Sequence, residues 1–357
     1  MKTYLNYKAG PAILHMIRQD GLDPARIRVL ACPAGGPKWF VCVGFDRALM
    51  RRHLLERASS RVLLAGASAG AWRCLTMVCR NPLEAHERLR IAYSRNRFSR
   101  TDTPCTIGEA LRRNVDAFVQ DPDIAFILNH PRFDVAVHVV RGRGPAGSES
   151  KKIEGCGLIA AAMLNALSPR GMDLFYERLV FYSGQVTPEF TKGPFRGRSF
   201  RLSAQNLRQV ALATGSLPYI VSGVSGIPGA EAGVYRDGGL TDYQLNQDYC
   251  PGEDGVTLFF HYQERIVPGW FDKSFSWRRP PKGALDRVLQ VHPSQRFIEL
   301  LPDRKLPDRN DFIEYVDNPE ERIRRWDKVS EISEILGEEF LNAVESGRIR
   351  NQVQPLE

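Results

Sequence analysis

The chain has 357 residues, 43% of them hydrophobic and 25% charged, with a formal net charge of +8. Such a chain is long enough to bury a sizeable core, and no apolar stretch approaches a membrane span, which excludes the disordered and membrane-spanning classes. Seven scattered cysteines lack the paired spacings of a zinc site, and the basic balance favours anionic partners such as phospholipid surfaces, nucleic acid or acidic metabolites. Residues 1–8 contain no apolar leader core, so the expected location is the cytoplasm, with the thiols reduced.

In chain order, a helix is predicted over Pro11–Gln19, ended by Asp20-Gly21. Ile27–Ala31 reads as a strand emptying into Cys32-Pro33-Ala34-Gly35-Gly36-Pro37-Lys38-Trp39, and Pro37 suits the first position of a helix running to about Leu55. Glycine amides at a helix start form a concavity for negative charge, whether a phosphate or an acyl-transfer oxyanion. A dinucleotide fold fits poorly, since Gly-x-Gly-x-x-Gly is missing at this junction. Val62–Ala65 is the next strand and Ala69–Arg80 has helical spacing, so Ser68 falls where strand becomes helix. Within Gly66-Ala67-Ser68-Ala69-Gly70, small residues on both sides allow the sharp turn of a nucleophile elbow, although a serine there is also a common helix cap.

Residues 81–120 read as mainly helical with a polar break over 94–104, and Phe133–Val140 as a strand. Residues 141–152 form an expected loop, Leu158–Leu167 a short helix, Leu179–Tyr182 a strand and Ser203–Thr214 a helix. The run Gly233–Gly239 places Asp237 on a glycine turn, a position more often structural than catalytic. Val256–Tyr262 is a further buried strand. Beyond it, aromatics alternate with cations through Arg279, and Asn318-Pro319-Glu320-Glu321 opens a final helix. Successive strand–helix units argue for an α/β fold with a mainly parallel sheet.

Three junctions stand in order: Gly35-Gly36-Pro37-Lys38, Gly66-Ala67-Ser68-Ala69-Gly70 and Asp237-Gly238-Gly239. Together they resemble the patatin-like phospholipase family, whose pattern is a glycine-rich oxyanion loop carrying Lys or Arg, a Gly-x-Ser-x-Gly elbow and a late Asp-Gly-Gly or Asp-Gly-Ala. Ala213-Thr214-Gly215-Ser216-Leu217-Pro218 is similar to the small-residue and proline segment that such proteins carry before the acid. The resemblance covers roughly Ile27 to Tyr262. It implies a three-layer α/β/α sandwich over residues 27–262, preceded by an extension (1–26) and followed by a mostly helical one (263–357) packed on the same domain.

The activity implied is lipid acyl hydrolysis of the phospholipase A, lysophospholipase or carboxylester hydrolase type, through a Ser-Asp dyad and with no cofactor or metal. On this chain Ser68 would be the nucleophile and Asp237 its base. The amides of Gly35, Gly36 and Ala69 would form the oxyanion hole, and Lys38 would be the basic residue of the loop. Gly66 and Gly70 would be the elbow glycines, with Gly238 and Gly239 those of the acid turn. Ala34 and Trp39 depart from the family loop, which predicts a differently shaped oxyanion hole.

Two other readings stand beside this one. A Ser-His-Asp esterase would draw its base from His261, in an apolar run suited to a core histidine, or from His292, in an expected loop. A patatin-like module with a dead site would bind without catalysis. The clusters Trp270–Arg279 and Phe195–Arg201 suit peripheral contact with an anionic membrane. Nucleic acid could use the same residues but is not the expected partner.

Overall fold

The computed structural model describes residues 3–192, 195–251 and 254–356. Among these residues the strands, in chain order, are β1 (Leu5–Ala9), β2 (Ile27–Cys32), β3 (Val62–Ala67), β4 (Phe133–Gly142), β5 (Tyr176–Tyr182), β6 (Arg198–Arg201), β7 (Val224–Ser225), β8 (Val234–Asp237), β9 (Val256–Phe260), β10 (Val288–Pro293) and β11 (Val353–Pro355). All join one sheet in the order β11-β1-β10-β9-β2-β3-β4-β5-β6, with β8 on β4 and β7 on β8. The run from β10 through β9, β2 and β3 to β4 is parallel. Antiparallel β1 and β5 flank it.

The parallel strands β2, past Arg28, and β3 are apolar on both faces, as a sheet buried on both sides requires. In β1, Leu5, Tyr7 and Ala9 are buried and Asn6 is exposed, the alternation of a strand with one wetter face. The boundaries expected at 26 and 262 cross this sheet. β1 comes from the segment before Ile27, and β10 and β11 come from the segment after Tyr262, so both extensions complete the sheet as well as covering it.

Helices α1 (Pro11–Asp20), α2 (Val43–Arg51), α3 (Ala69–Met77), α4 (Pro82–Ser94) and α5 (Pro104–Phe118) follow the predicted order. The helix expected from Lys38 is instead a 3-10 turn over Gly36–Cys42 leading into α2, and chain reversal after it places His53 at φ 50°. The helix expected from Leu158 begins earlier, spanning Lys151–Leu167, while that expected from Ser203 shortens to Leu207–Ala213. The long C-terminal helix, Pro319–Glu345, is capped as predicted: Asn318 accepts the Glu321 amide at 3.3 Å.

On one sheet face a large core unites Phe40, Phe45, Leu75, Phe118, Trp326 and Phe340 from the helices. Each such side chain contributes about 1.5–3 kcal/mol by leaving water. On the other face, Val29, Ala31, Ala65 and Phe259 pack against Leu245, Tyr249 and Ile266 from irregular chain and against Phe190. No helix of the described residues is long and apolar enough to cross a membrane.

Candidate active site

The sheet brings the junctions together through its register. β3 pairs with β4 as far as Ala67 opposite His138, and there the chain turns away into α3. β5 occupies the other edge of β4 from Ala136 to Gly142, so β8 takes the edge that β3 vacates, with Asp237 opposite Val139. Residues 169 apart in sequence are thereby set side by side, and Ser68 Oγ donates to Asp237 Oδ2 at 2.8 Å. Both are buried, Ser68 at 7% exposure.

Ser68 adopts φ 53°, ψ −132°, a strained conformation for a residue with a side chain. Two contacts hold it there. Its amide donates to Thr214 Oγ1 at 2.9 Å, and that hydroxyl donates to the His138 main-chain oxygen at 2.6 Å. Close packing of α3 on the sheet makes small residues necessary: a Cβ on Gly70 would lie 2.2 Å from the Cys32 oxygen, and one on Gly66 would lie 2.8 Å from the Ala71 amide nitrogen. Buried Arg73, on α3, donates to both carboxylate oxygens of Asp46 on α2, at 2.6 and 2.7 Å, and His86 Nε2 lies 3.1 Å from the same carboxylate. The elbow helix is thus tied to the helix that follows the glycine-rich loop.

The segment resembling the family's proline stretch holds both Ser68 and Asp237. Thr214 fixes Ser68, and the Ser216 main-chain oxygen accepts the Asp237 amide at 3.0 Å. Gly239 donates its amide to Asp237 Oδ1 at 2.7 Å, and Gly238 packs on the His138 main chain too closely for any side chain. Burial pushes the Asp237 carboxyl above the usual carboxylate range, opposed by the charge of Arg309, the Gly239 amide, the Ser68 hydroxyl and Lys273.

Gly35 caps the 3-10 turn and Gly36 begins it at φ 55°, while Ala69 begins α3. Amides at these positions lack intrahelical acceptors. Gly36, Ser68 and Ala69 line one cavity with Asp237. Behind the loop, Tyr262 donates to the Ala34 oxygen at 2.7 Å and presses so near Gly35 that a Cβ there would meet its ring at 2.6 Å. The two departures from the family loop do not fill the site. Ala34 holds no positive φ, and Trp39 is buried among Phe40, His86 and Tyr93, outside the cavity lining.

That cavity measures about 570 Å³ and has mostly apolar walls, among them Trp72, Tyr93, Leu111, Leu217 and Phe312. Exposed Ile220 and Ile313 mark its mouth. Phe312 and Ile313 come from the segment beyond the family resemblance, so that segment builds part of the site.

Two basic residues that sequence reasoning missed complete the surroundings. Arg309 lines the cavity, its Nε 3.3 Å from where a Gly36 Cβ would stand. Lys273 directs its ammonium over the buried Tyr243 ring at 4.2 Å, although the residue as a whole is exposed. Loss of hydration there, with repulsion from Arg309 and Lys38, lowers the Lys273 ammonium to about 7. Lys38 lies 5.1 Å over the Tyr262 ring, and burial likewise lowers it, offset by Asp308. Lys273 belonged to a cluster read as membrane-facing; Arg309 carried no local signal.

Neither candidate histidine is hydrogen-bonded to Ser68 or Asp237. Fully buried His261 has Nδ1 2.5 Å from the Gln263 oxygen, and burial holds it well below its usual range. His292 is in strand β10 and not in the expected loop, because Val291 and its neighbours pair with β9 and β1; its Nδ1 lies 3.1 Å from the Pro293 oxygen. Of the two expected membrane clusters, Arg198 pairs with Glu177 and Glu231, Arg201 donates to the Gly184 oxygen and Arg278 to the Asn165 oxygen. Those cations are therefore engaged within the fold. No protein-family model matches the chain, and no curated protein matches it.

Proposed function

We propose that the chain is a patatin-like serine acyl hydrolase, cleaving carboxylic esters of lipids through an acyl-serine intermediate. The observation that carries this reading is the 2.8 Å Ser68–Asp237 hydrogen bond opening onto a cavity of about 570 Å³. Ser68 Oγ attacks the ester carbonyl as Asp237 takes its proton, and the negative charge of the tetrahedral intermediate falls to the amides of Gly35, Gly36 and Ala69. Collapse expels the alcohol, which leaves with the proton from Asp237. A water molecule then attacks the acyl-serine, delivering its proton first to Asp237 and finally to Ser68 Oγ. A buried carboxylate with raised proton affinity is a stronger base than a free one, which answers the absence of a histidine.

The apolar walls suit an acyl chain, and Arg309 in the lining, with Lys273 and Lys38 close enough to act on its charge, suits an ester with negative charge near its scissile bond. Labelling with a fluorophosphonate tests the reading directly. Wild type should form an adduct that Ser68→Ala cannot form and Asp237→Asn forms slowly. Folded wild-type protein that takes no label, or Ser68→Ala protein that still does, would overturn it.

A further inference from the structure

The helix Lys151–Leu167 packs on the fold through Glu154, Gly157, Ala161 and Asn165, a stripe at helical spacing. Its outward stripe is apolar as well. Ile159, Met163 and Leu167 are 63%, 66% and 84% exposed, in line with exposed Ile153 and Cys156. Soluble surfaces seldom gather large apolar side chains in this way without a use for them.

Three neighbours enlarge the patch. Leu174, just past the helix, is exposed. Arg278 donates to the Asn165 oxygen at 2.8 Å, which sets Trp277, 67% exposed, beside the C-terminal half of the helix. At the other end, Lys151 lies 4.6 Å over the Tyr219 ring, and Glu154 accepts the Tyr219 amide at 3.2 Å. The next residue, Ile220, lines the mouth of the active-site cavity. The apolar face therefore runs up to the opening through which the acyl chain would enter.

Basic residues outnumber acidic ones around this face, where exposed Glu149 and half-buried Asp173 are the nearby acids. Lys151 and Lys152 are exposed at its start, with Arg170 and Arg279 beyond its other end, whereas Glu154 is buried against Arg236. An apolar helical stripe, an exposed tryptophan and a basic rim are the components of an interfacial site for anionic lipid.

We propose that the outward face of Lys151–Leu167, with Leu174 and Trp277, docks on an anionic lipid bilayer and presents the cavity mouth to it. Only the lipid character of the cavity's ligand is borrowed from the hydrolase reading. Association is electrostatic at first and is held by insertion of Met163, Leu167 and Trp277 among the headgroups.

Co-sedimentation of the full chain with vesicles of phosphatidylcholine, with and without phosphatidylserine, tests this. The expected result is binding at least about tenfold tighter to the anionic vesicles and weakened by salt. Trp277 is the most exposed tryptophan, so its emission should shift to the blue on binding, and Trp277→Phe should remove the shift. Met163→Glu/Leu167→Glu should lose binding by about tenfold or more, and Lys151→Glu/Lys152→Glu should lose the preference for anionic lipid. Both pairs are exposed, and a thermal melt matching wild type establishes folding. Ser68→Ala protein should bind vesicles as wild type does, so failure of docking and failure of the catalytic reading are separable. Equal binding by the Met163→Glu/Leu167→Glu protein would overturn the proposal. So would a wild-type dimer in solution that this substitution dissolves, since the face would then belong to a second copy of the chain.

Discussion

The Ser68 amide donates to the Thr214 hydroxyl at 2.9 Å, and through it the strained Ser68 is anchored to the main chain of β4. A residue at φ 53° returns to a relaxed conformation unless its surroundings hold it, and the strain is of order ~1–3 kcal/mol. Thr214→Val keeps the shape but leaves a buried amide without an acceptor, at a cost of about 1–3 kcal/mol. The expected outcome is a kcat lower by about 10- to 100-fold with KM little changed. Thr214→Ser, which keeps the hydroxyl, should restore most of the rate. Equal losses in both variants would mean that Thr214 serves packing alone.

The site should titrate in two places with opposite consequences. In the proposed reaction Asp237 acts as a base only when ionised, and its raised pKa should place the acid limb of kcat/KM above the ordinary carboxylate value near ~3.9. Arg309→Gln removes the strongest opposing charge and should move that limb to still higher pH. Lys273 faces Arg309, Lys38 and Asp237 and sits over Tyr243; it carries its charge below about 7 and loses it above. KM for an ester with an anionic leaving group should therefore rise as pH passes upward through about 7, while KM for a neutral ester stays level. Lys273→Met should flatten the first profile. A KM limb that survives this substitution would assign the titration to another group.

The elbow was legible in the sequence because its demands are local: an apolar strand, glycines where backbones touch, and a serine at the turn. Asp237 was legible through its glycines, while its place beside Ser68 depends on β8 filling an edge that β3 leaves, which no local pattern encodes. The strands at one end of the sheet escaped for a similar reason. β1 and β11 are short, and β10 ends in His292-Pro293, which reads as a turn until β1 and β9 pair with it from distant parts of the chain. Arg309 and Lys273 are carried by irregular segments, and only tertiary packing turns them toward the dyad. Within the cation–aromatic clusters, the pairing of Arg198 and Arg278 inside the fold was not legible, because guanidinium groups near rings suit internal pairing and outward presentation equally.

Buried Asp46 supports the site from below. Burial alone would raise its pKa, but Arg73 and His86 hold the carboxyl below the usual range. A group depressed in the folded state contributes stability above its unfolded pKa near ~3.9 and loses it as pH falls through the lower folded value. Asp46→Asn leaves Arg73 buried without a counter-charge and should destabilise the fold by about 3–5 kcal/mol, read as the midpoint of urea unfolding at neutral pH. Its deficit relative to wild type should shrink in acid, as the wild-type carboxylate becomes protonated. A midpoint unchanged at neutral pH would show that the network is dispensable.

Cavity shape should set the acyl chains accepted. Leu111, on α5, reaches within 3.5 Å of the place a Gly215 Cβ would occupy and lines the cavity with Trp72 and Leu217. Leu111→Trp places extra ring volume where a long chain would lie, while the amides of the glycine-rich loop and the Ser68–Asp237 pair are left as they are. An apolar pocket discriminates by about 1–3 kcal/mol for each methylene it gains or loses. For p-nitrophenyl palmitate, kcat/KM should fall by about tenfold or more, with a much smaller change for the butyrate ester. Fluorophosphonate labelling of Ser68 should proceed at close to the wild-type rate, which separates a shortened cavity from a damaged elbow. Equal loss on both esters with labelling intact would mean that the acyl chain lies elsewhere, and the assignment of this cavity would fall.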